Sequence, residues 1–175
     1  MPLSDVGRAQ ARALAEALAL TVFTRAYASD LERAVETAEA IAVPHGIGVR
    51  TDVRLREFDF GAWEGLTWAE IVVRWPEQKD HHYTSARMYH PVGGETFDAV
   101  VERVRSFFRE LTGAPNERIL IVAHAGALHA VIEALGILPP APISFSTASI
   151  TRVAMDAGKA RLISLNDVSH LDPVA

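Results

Sequence analysis

The chain has 175 residues, a formal net charge of -5 at neutral pH and no cysteine. That length suits one domain able to bury ~70% of the surface its unfolded form exposes, so neither a disulfide nor a metal is needed as a staple. The missing cysteine excludes disulfides, a thiolate nucleophile and cysteine-ligated zinc or iron–sulfur sites, and the missing block of lysine and arginine argues against nucleic acid as a partner.

The opening Met-Pro-Leu-Ser-Asp has neither the basic region nor the apolar run of a signal peptide, and no apolar stretch reaches membrane-spanning length. A cytoplasmic protein with no membrane association is the expectation. Ser4 can cap a helix running to about Leu18, with Val6, Ala9, Ala13, Leu14, Ala17 and Leu18 as its apolar stripe. Ala26 to Ala28 reads as a short strand. Ser29 or Asp30 then caps a second helix in which Leu31, Ala34, Val35, Ala38, Ile41 and Ala42 share a face, stopped by Pro44 and Gly46. A half-exposed segment, Val49 to Arg56, includes Arg54-Leu55-Arg56, read as an arginine-rich strand. The aromatic and glycine-rich run Phe58 to Gly65 has no clear period and reads as a loop with a packing or functional task.

Thr67 can cap a short helix to Trp75, ended by Pro76. From Glu77 to Gly94 the sequence is polar and irregular, as expected of a lid over a site. Thr96 opens an amphipathic helix whose Phe97, Val100, Val101, Val104, Phe107, Phe108 and Leu111 point inward. The five apolar residues Ile119 to Ala123, ending at His124, read as a buried strand, followed by a helix from about Ala127 to Leu135 with Gly136 as its C-cap. Two last strands, Ala148 to Met155 and Ala160 to Leu165, flank a turn sequence and suggest an antiparallel hairpin. This alternation predicts a three-layer α/β domain, with a mostly parallel sheet and the hairpin at one edge.

Three residues stand out for chemistry. His124 ends the apolar run Ile119 to Ala123 at the carboxyl edge of the strand, where open parallel sheets bind ligands. The next helix would aim free backbone N–H groups at an anion there. Arg33 falls in the first turn of its helix, against the helix dipole, a conflict that a bound anion removes; pairing with Asp30 is the plainer reading. Glu57 precedes Phe58, Phe60 and Trp63, surroundings that raise a carboxyl pKa and suit a general acid, though a solvated loop glutamate fits as well. Cation, strand-end histidine and proton donor together suit phosphoryl transfer. No carboxylate or histidine spacing points to a metal, and the adjacent His81 and His82 would point apart in any regular element.

As a set, these residues identify a resemblance. Pro2-Leu3-Ser4, Ser29-Asp30-Leu31 with Arg33-Ala34, and Leu55-Arg56-Glu57 through Phe60-Gly61 to Trp63-Glu64-Gly65-Leu66-Thr67-Trp68 come in order. Gly93-Gly94-Glu95-Thr96, Val122-Ala123-His124-Ala125-Gly126 and Asn166-Asp167 with His170 follow them. The chain resembles the histidine phosphatase superfamily, phosphoglycerate mutase-like branch, over nearly its whole length. The resemblance implies metal-independent, cofactor-free phosphomonoester hydrolysis through a phosphohistidine, on a small phosphorylated metabolite. It implies that Arg33 binds the transferred phosphoryl group, that Glu57 protonates the leaving oxygen, and that His124 and the Ala125 N–H donate to phosphoryl oxygens. A lid over about 68–94, with Trp68, His81, His82, Tyr83 and His90, would choose the substrate.

The family opens with a central strand ending in Arg-His-Gly, whose histidine is the nucleophile. No histidine here has that context, so the chain is expected to be a single domain over 1–175, N-terminally truncated relative to the family, and inactive as it stands. Leaving that strand position unfilled exposes backbone groups on two neighbours and favours self-association into a homo-oligomer. A non-catalytic phosphate-binding or interaction protein derived from the family is the alternative.

Overall fold

A computed structural model describes residues 1–81, 91–111, 113, 116–138, 143–156 and 158–171. Ser4 opens helix α1 (Asp5–Leu18), its Oγ accepting the Gly7 N–H at 3.1 Å. The buried face of α1 is Ala11, Leu14 and Leu18, whereas Val6 is exposed, so the inward stripe is rotated from the expected one. With alanine at most positions the period alone leaves that rotation open, and the neighbours of Leu14 and Leu18 settle it. Strand β1 (Arg25–Ala28) follows, then α2 (Glu32–Ala42), which buries Ala34, Ala38, Ile41 and Ala42 as predicted and runs into a single 3₁₀ turn that ends at Gly46.

Strand β2 (Val49–Thr51) is shorter than the half-exposed segment suggested. The expected strand at Arg54-Leu55-Arg56 is instead a 3₁₀ turn over Val53–Leu55, because Asp52 caps it by accepting the Arg54 N–H at 2.9 Å. Helix α3 (Trp68–Arg74) carries a capping box between Thr67 and Glu70. The long amphipathic helix, α4 (Phe97–Glu110), buries Phe97, Val100, Val101, Val104 and Phe107. Strand β3 (Ile119–Val122) leads into α5 (Ala125–Ala134), which starts two residues earlier than expected because His124 itself is the N-cap. The hairpin is β4 (Ile150–Asp156) with β5 (Lys159–Asp167), antiparallel as predicted.

The three parallel strands run in the order β2, β1, β3, with Ala28 opposite Val122. Ala26 and Leu120 face a cluster with Leu14, Leu18, Ile41 and Ala42 of α1 and α2. On the other side Tyr27 meets the edge of Phe107, ring centroids 5.4 Å apart, and α4 packs on α5 through Val100, Val101, Val104, Ala130 and Val131. Helices therefore cover both faces, the three-layer arrangement. Burying Val100 and Val104 completely contributes roughly 1.5–3 kcal/mol each.

Among the described residues β4 pairs only with β5 and β3 only with β1, so the hairpin forms a sheet of its own. Its base still joins the core, since Ala148 and Ile150 pack on the cluster that holds Leu120 and reaches Val122. His170 ties down that base, its Nε2 lying 3.0 Å from the Ala148 carbonyl.

Candidate active site

Parallel pairing of β1 with β3 brings two helix starts to one corner. The Ser29 N–H donates to the Val122 carbonyl at 2.9 Å, so β1 and β3 end side by side. Ser29 is fully buried and its Oγ accepts the Leu31 N–H at 3.3 Å; the N-cap of α2 is Leu31, not Ser29 or Asp30. Arg33 therefore sits one residue inside α2, facing the N-cap of α5.

The plainer reading of Arg33, a pair with Asp30, does not hold. Asp30 is taken by Arg56, with Nε to Oδ1 at 2.7 Å and Nη2 to Oδ2 at 2.6 Å, and that guanidinium holds the Asp30 carboxyl below its usual range. Among the described residues no carboxylate lies within ion-pair distance of Arg33, a half-buried cation in the first turn of a helix, where the dipole disfavours it.

His124 is 9% exposed, and its Nε2 is buried without a hydrogen-bond partner among the described residues. Burial, then the nearby Arg33 and Arg103 cations, push its pKa down to about 4, with Asp30 opposing. The imidazole is thus neutral at pH 7. An orphaned ring nitrogen beside an unpaired guanidinium is costly unless an anion satisfies both.

Glu57 completes the corner. Its Oε1 accepts the Phe58 N–H at 2.8 Å and the Ala127 N–H at 3.3 Å, so the carboxyl lies against the N-terminus of α5. A Cβ on Gly126 would run into that Oε1, which explains glycine there. Burial raises the Glu57 pKa, while the Phe58, Ala127 and Gly126 N–H groups and the Arg33 charge pull it down. The α5 amides expected to be free for an anion thus already serve the acid at Ala127. Ala125, the first residue of α5, is exposed.

The structure brings Arg33, Glu57 and His124 together, as the sequence suggested, from three separate segments. Trp68 begins α3 with its ring edge-on to Trp63, centroids 6.3 Å apart, beside an apolar pocket of about 310 Å³ that Phe60 and Ile71 also line. That pocket is lined by none of the three corner residues. His81 closes a 3₁₀ turn, Pro76–His81, with its side chain outside the described residues; His82, Tyr83 and His90 lie outside them altogether. His129 meets Phe145 edge-on with 5.0 Å between centroids, a packing contact. Among the described residues no three histidine or acidic side chains gather where they could hold a metal, and no helix is long and apolar enough to cross a membrane.

Sequence reasoning missed the supports of the corner. Arg56 with Asp30 and Arg103 with Glu95 are ion pairs between segments that the sequence keeps apart or on either side of a helix start. The only signal was Gly93-Gly94-Glu95 directly before the Thr96 N-cap, a turn sequence with a charged residue in it.

A family model described as "Histidine phosphatase superfamily (branch 1)" matches residues 1–168. Phosphoserine phosphatase 1 of Hydrogenobacter thermophilus is 29% identical over 173 residues, spanning 97% of this chain and 82% of that enzyme. The glucosyl-3-phosphoglycerate phosphatase of Mycobacterium tuberculosis is 36% identical over 148 residues, 79% of this chain and 66% of its own length. A solved mycobacterial glucosyl-3-phosphoglycerate phosphatase in complex with inorganic phosphate superposes with a TM-score of 0.86 at 32% identity, covering 98% of this chain and 90% of that one. The chain belongs to branch 1 of the histidine phosphatase superfamily.

Proposed function

We propose that this chain is the phosphate-binding and proton-donating body of a metal-independent phosphomonoesterase that works through a phosphohistidine. The observation that carries the reading is the meeting of three groups: among the described residues, an Arg33 guanidinium with no carboxylate partner and a buried His124 Nε2 with no hydrogen-bond partner, beside a half-buried Glu57 carboxyl. Each fits one need of phosphoryl transfer, where positioning and charge stabilisation carry most of the catalysis. Arg33 neutralises the non-bridging oxygens, and neutral His124 donates from Nε2 to one of them, aided by the Ala125 N–H. As an attacking imidazole nitrogen bonds to phosphorus, the ester P–O bond breaks and Glu57 gives its proton to the leaving oxygen. Glu57, now a carboxylate, then takes a proton from the water that cleaves the phosphohistidine and releases inorganic phosphate.

None of the seven histidines stands in an Arg-His-Gly sequence. We place the attacking histidine on a further strand that fills the space between the edges of β3 and β4, which among the described residues pair with no other strand there. The 175 residues alone are then expected to hydrolyse phosphate esters at or near the background rate. The names of the relatives, a phosphoserine phosphatase and a glucosyl-3-phosphoglycerate phosphatase, support small phosphorylated metabolites as the substrate class.

The test is the protein extended ahead of Met1 by a strand ending in Arg-His-Gly. It should hydrolyse p-nitrophenyl phosphate with chelator present, form an acid-labile phosphohistidine, and lose about 10²–10³-fold in kcat when His124→Ala is added. An extended, folded protein that is inactive on a broad panel of phosphate esters overturns the reading. If inorganic phosphate still binds by calorimetry in that case, the chain is a phosphate binder that shares the family's corner without its chemistry, a reading favoured by the lack of Arg-His-Gly.

A further inference from the structure

The backbone of Glu57 is held in place by groups other than Arg33 and His124. Arg103, in the second turn of α4, directs all five of its guanidinium donors inward. Nη1 donates to the carbonyls of Arg54 at 2.6 Å and Arg56 at 2.9 Å, and Nη2 to the carbonyl of Glu57 at 3.1 Å. Nε and Nη2 also bind the two carboxylate oxygens of Glu95, at 2.8 and 2.9 Å. Glu95 in turn accepts the Asp59 N–H at 3.1 Å and donates its own N–H to the Asp59 carbonyl at 2.9 Å. The backbone is thus gripped at Arg54, Arg56, Glu57 and Asp59, on either side of the carboxyl-bearing residue.

The other end of this arrangement is equally fixed. The Glu57 carboxyl touches α5 at Gly126 and Ala127, and α5 packs on α4 through Val100, Val101, Val104, Ala130 and Val131. One helix therefore holds the backbone of Glu57 while its packed partner receives the carboxyl. A reacting group must be held to within about 0.5 Å of its working geometry, which takes support of this kind.

We propose that Arg103, working with Glu95, is the positioning residue that sets the carboxyl of Glu57 at the N-terminus of α5. The proposal rests on the reading of Glu57 as the proton donor and adds the device that aims it. Arginine is required because a lysine ammonium has three donors on a flexible stem and cannot span three carbonyls and a carboxylate in one plane.

The 175-residue chain itself is the test object, labelled with ¹³C at the glutamate carboxyls, with the Glu57 resonance assigned by Glu57→Gln. In Arg103→Gln the released backbone lets water reach the carboxyl, so Glu57 should titrate closer to the ordinary glutamate range than in the unaltered chain. The Ala127 amide, which donates to that carboxyl, should exchange with solvent faster. Arg103→Lys should fall between the two, and Arg109→Gln, which removes an exposed pair with Glu102 on the same helix, should match the unaltered chain. A cation acting only through its field gives the opposite sign, because its loss pushes the Glu57 pKa further up. A folded Arg103→Gln in which Glu57 titrates unchanged or higher overturns the proposal. If that variant does not fold, Arg103→Lys and Glu95→Gln decide by the same two readouts. The proton-donor reading is checked separately, in the strand-extended protein, by whether Glu57→Gln costs more on an alkyl than on an aryl phosphate. That result can fail while the carboxyl's position still depends on Arg103, so the two failures are distinguishable.

Discussion

Arg103 grips the backbone of Glu57 while the charge of Arg33 acts on its carboxyl, and the two follow opposite rules. Arg103 uses every donor it has on carbonyls and a carboxylate, whereas Arg33 has no carboxylate partner among the described residues and occupies the helix turn least suited to a cation. The same residue type is structural in one place and available in the other. Saturated cations define the geometry, as Arg54 also does between Asp52 and Glu110. The unsaturated one marks where charge from outside is expected. Phosphate chemistry needs both kinds, one to fix the reacting groups and one to meet the dianion.

The largest effect that would break this contrast is on Arg33. In the strand-extended protein Arg33→Gln should lower kcat on an aryl phosphate by about 10³-fold, the scale at which an arginine serves a transferring phosphoryl group. Its urea midpoint should hardly move, since no ion pair among the described residues is lost. An activity loss matched by a stability loss would place Arg33 with the structural arginines.

The next effect belongs to His124. Its folded pKa of about 4 lies below the ordinary 6.5, so the unfolded chain takes up a proton that the folded one refuses. The resulting stabilisation is complete above pH 6.5 and is lost as pH falls toward 4, by about 3 kcal/mol over that window. His124→Gln does not titrate there and should show a flatter urea stability profile between pH 6.5 and 4. Parallel profiles would mean that the ring is not shielded as described.

The smallest expected change sharpens the aiming of Glu57. Gly126→Ala alters no charge, yet its Cβ meets Glu57 Oε1. Displacing the carboxyl by about 1 Å should cost about 10²-fold in kcat, with a larger loss on alkyl than on aryl phosphates. Equal losses on both would show that the added methyl disturbs something other than the acid.

Much of the fold was legible because it repeats. Val100, Val101, Val104 and Phe107 recur at helical spacing, and Ile119 to Ala123 is an apolar run, three of its five residues β-branched, cut off by His124. In α1, where alanine fills most positions, the period fixed the helix but not its rotation, and Val6 proved exposed. Asp52 turned Arg54-Leu55-Arg56 from a strand into a 3₁₀ turn through one side-chain cap, a local competition that composition does not reveal. At the site, Arg33, Glu57 and His124 were legible because each conflicts with its surroundings: a cation at a helix start, an acid among aromatic rings, an imidazole at a strand end. Arg103 was not. Its partners are mainly backbone carbonyls 46 to 49 residues away, and a carbonyl looks alike beneath every side chain.

The edges of β3 and β4 bear on how this protein behaves in the tube. A strand edge with unpaired N–H and C=O groups is a template for any other extended chain, and among the described residues this fold has two of them flanking one core cluster. Neither β3 nor β4 carries the proline that would blunt such an edge, and β3 has no charged residue. Solubility and storage life in concentrated solution should therefore respond to peptides of strand-forming sequence well before any catalytic property does.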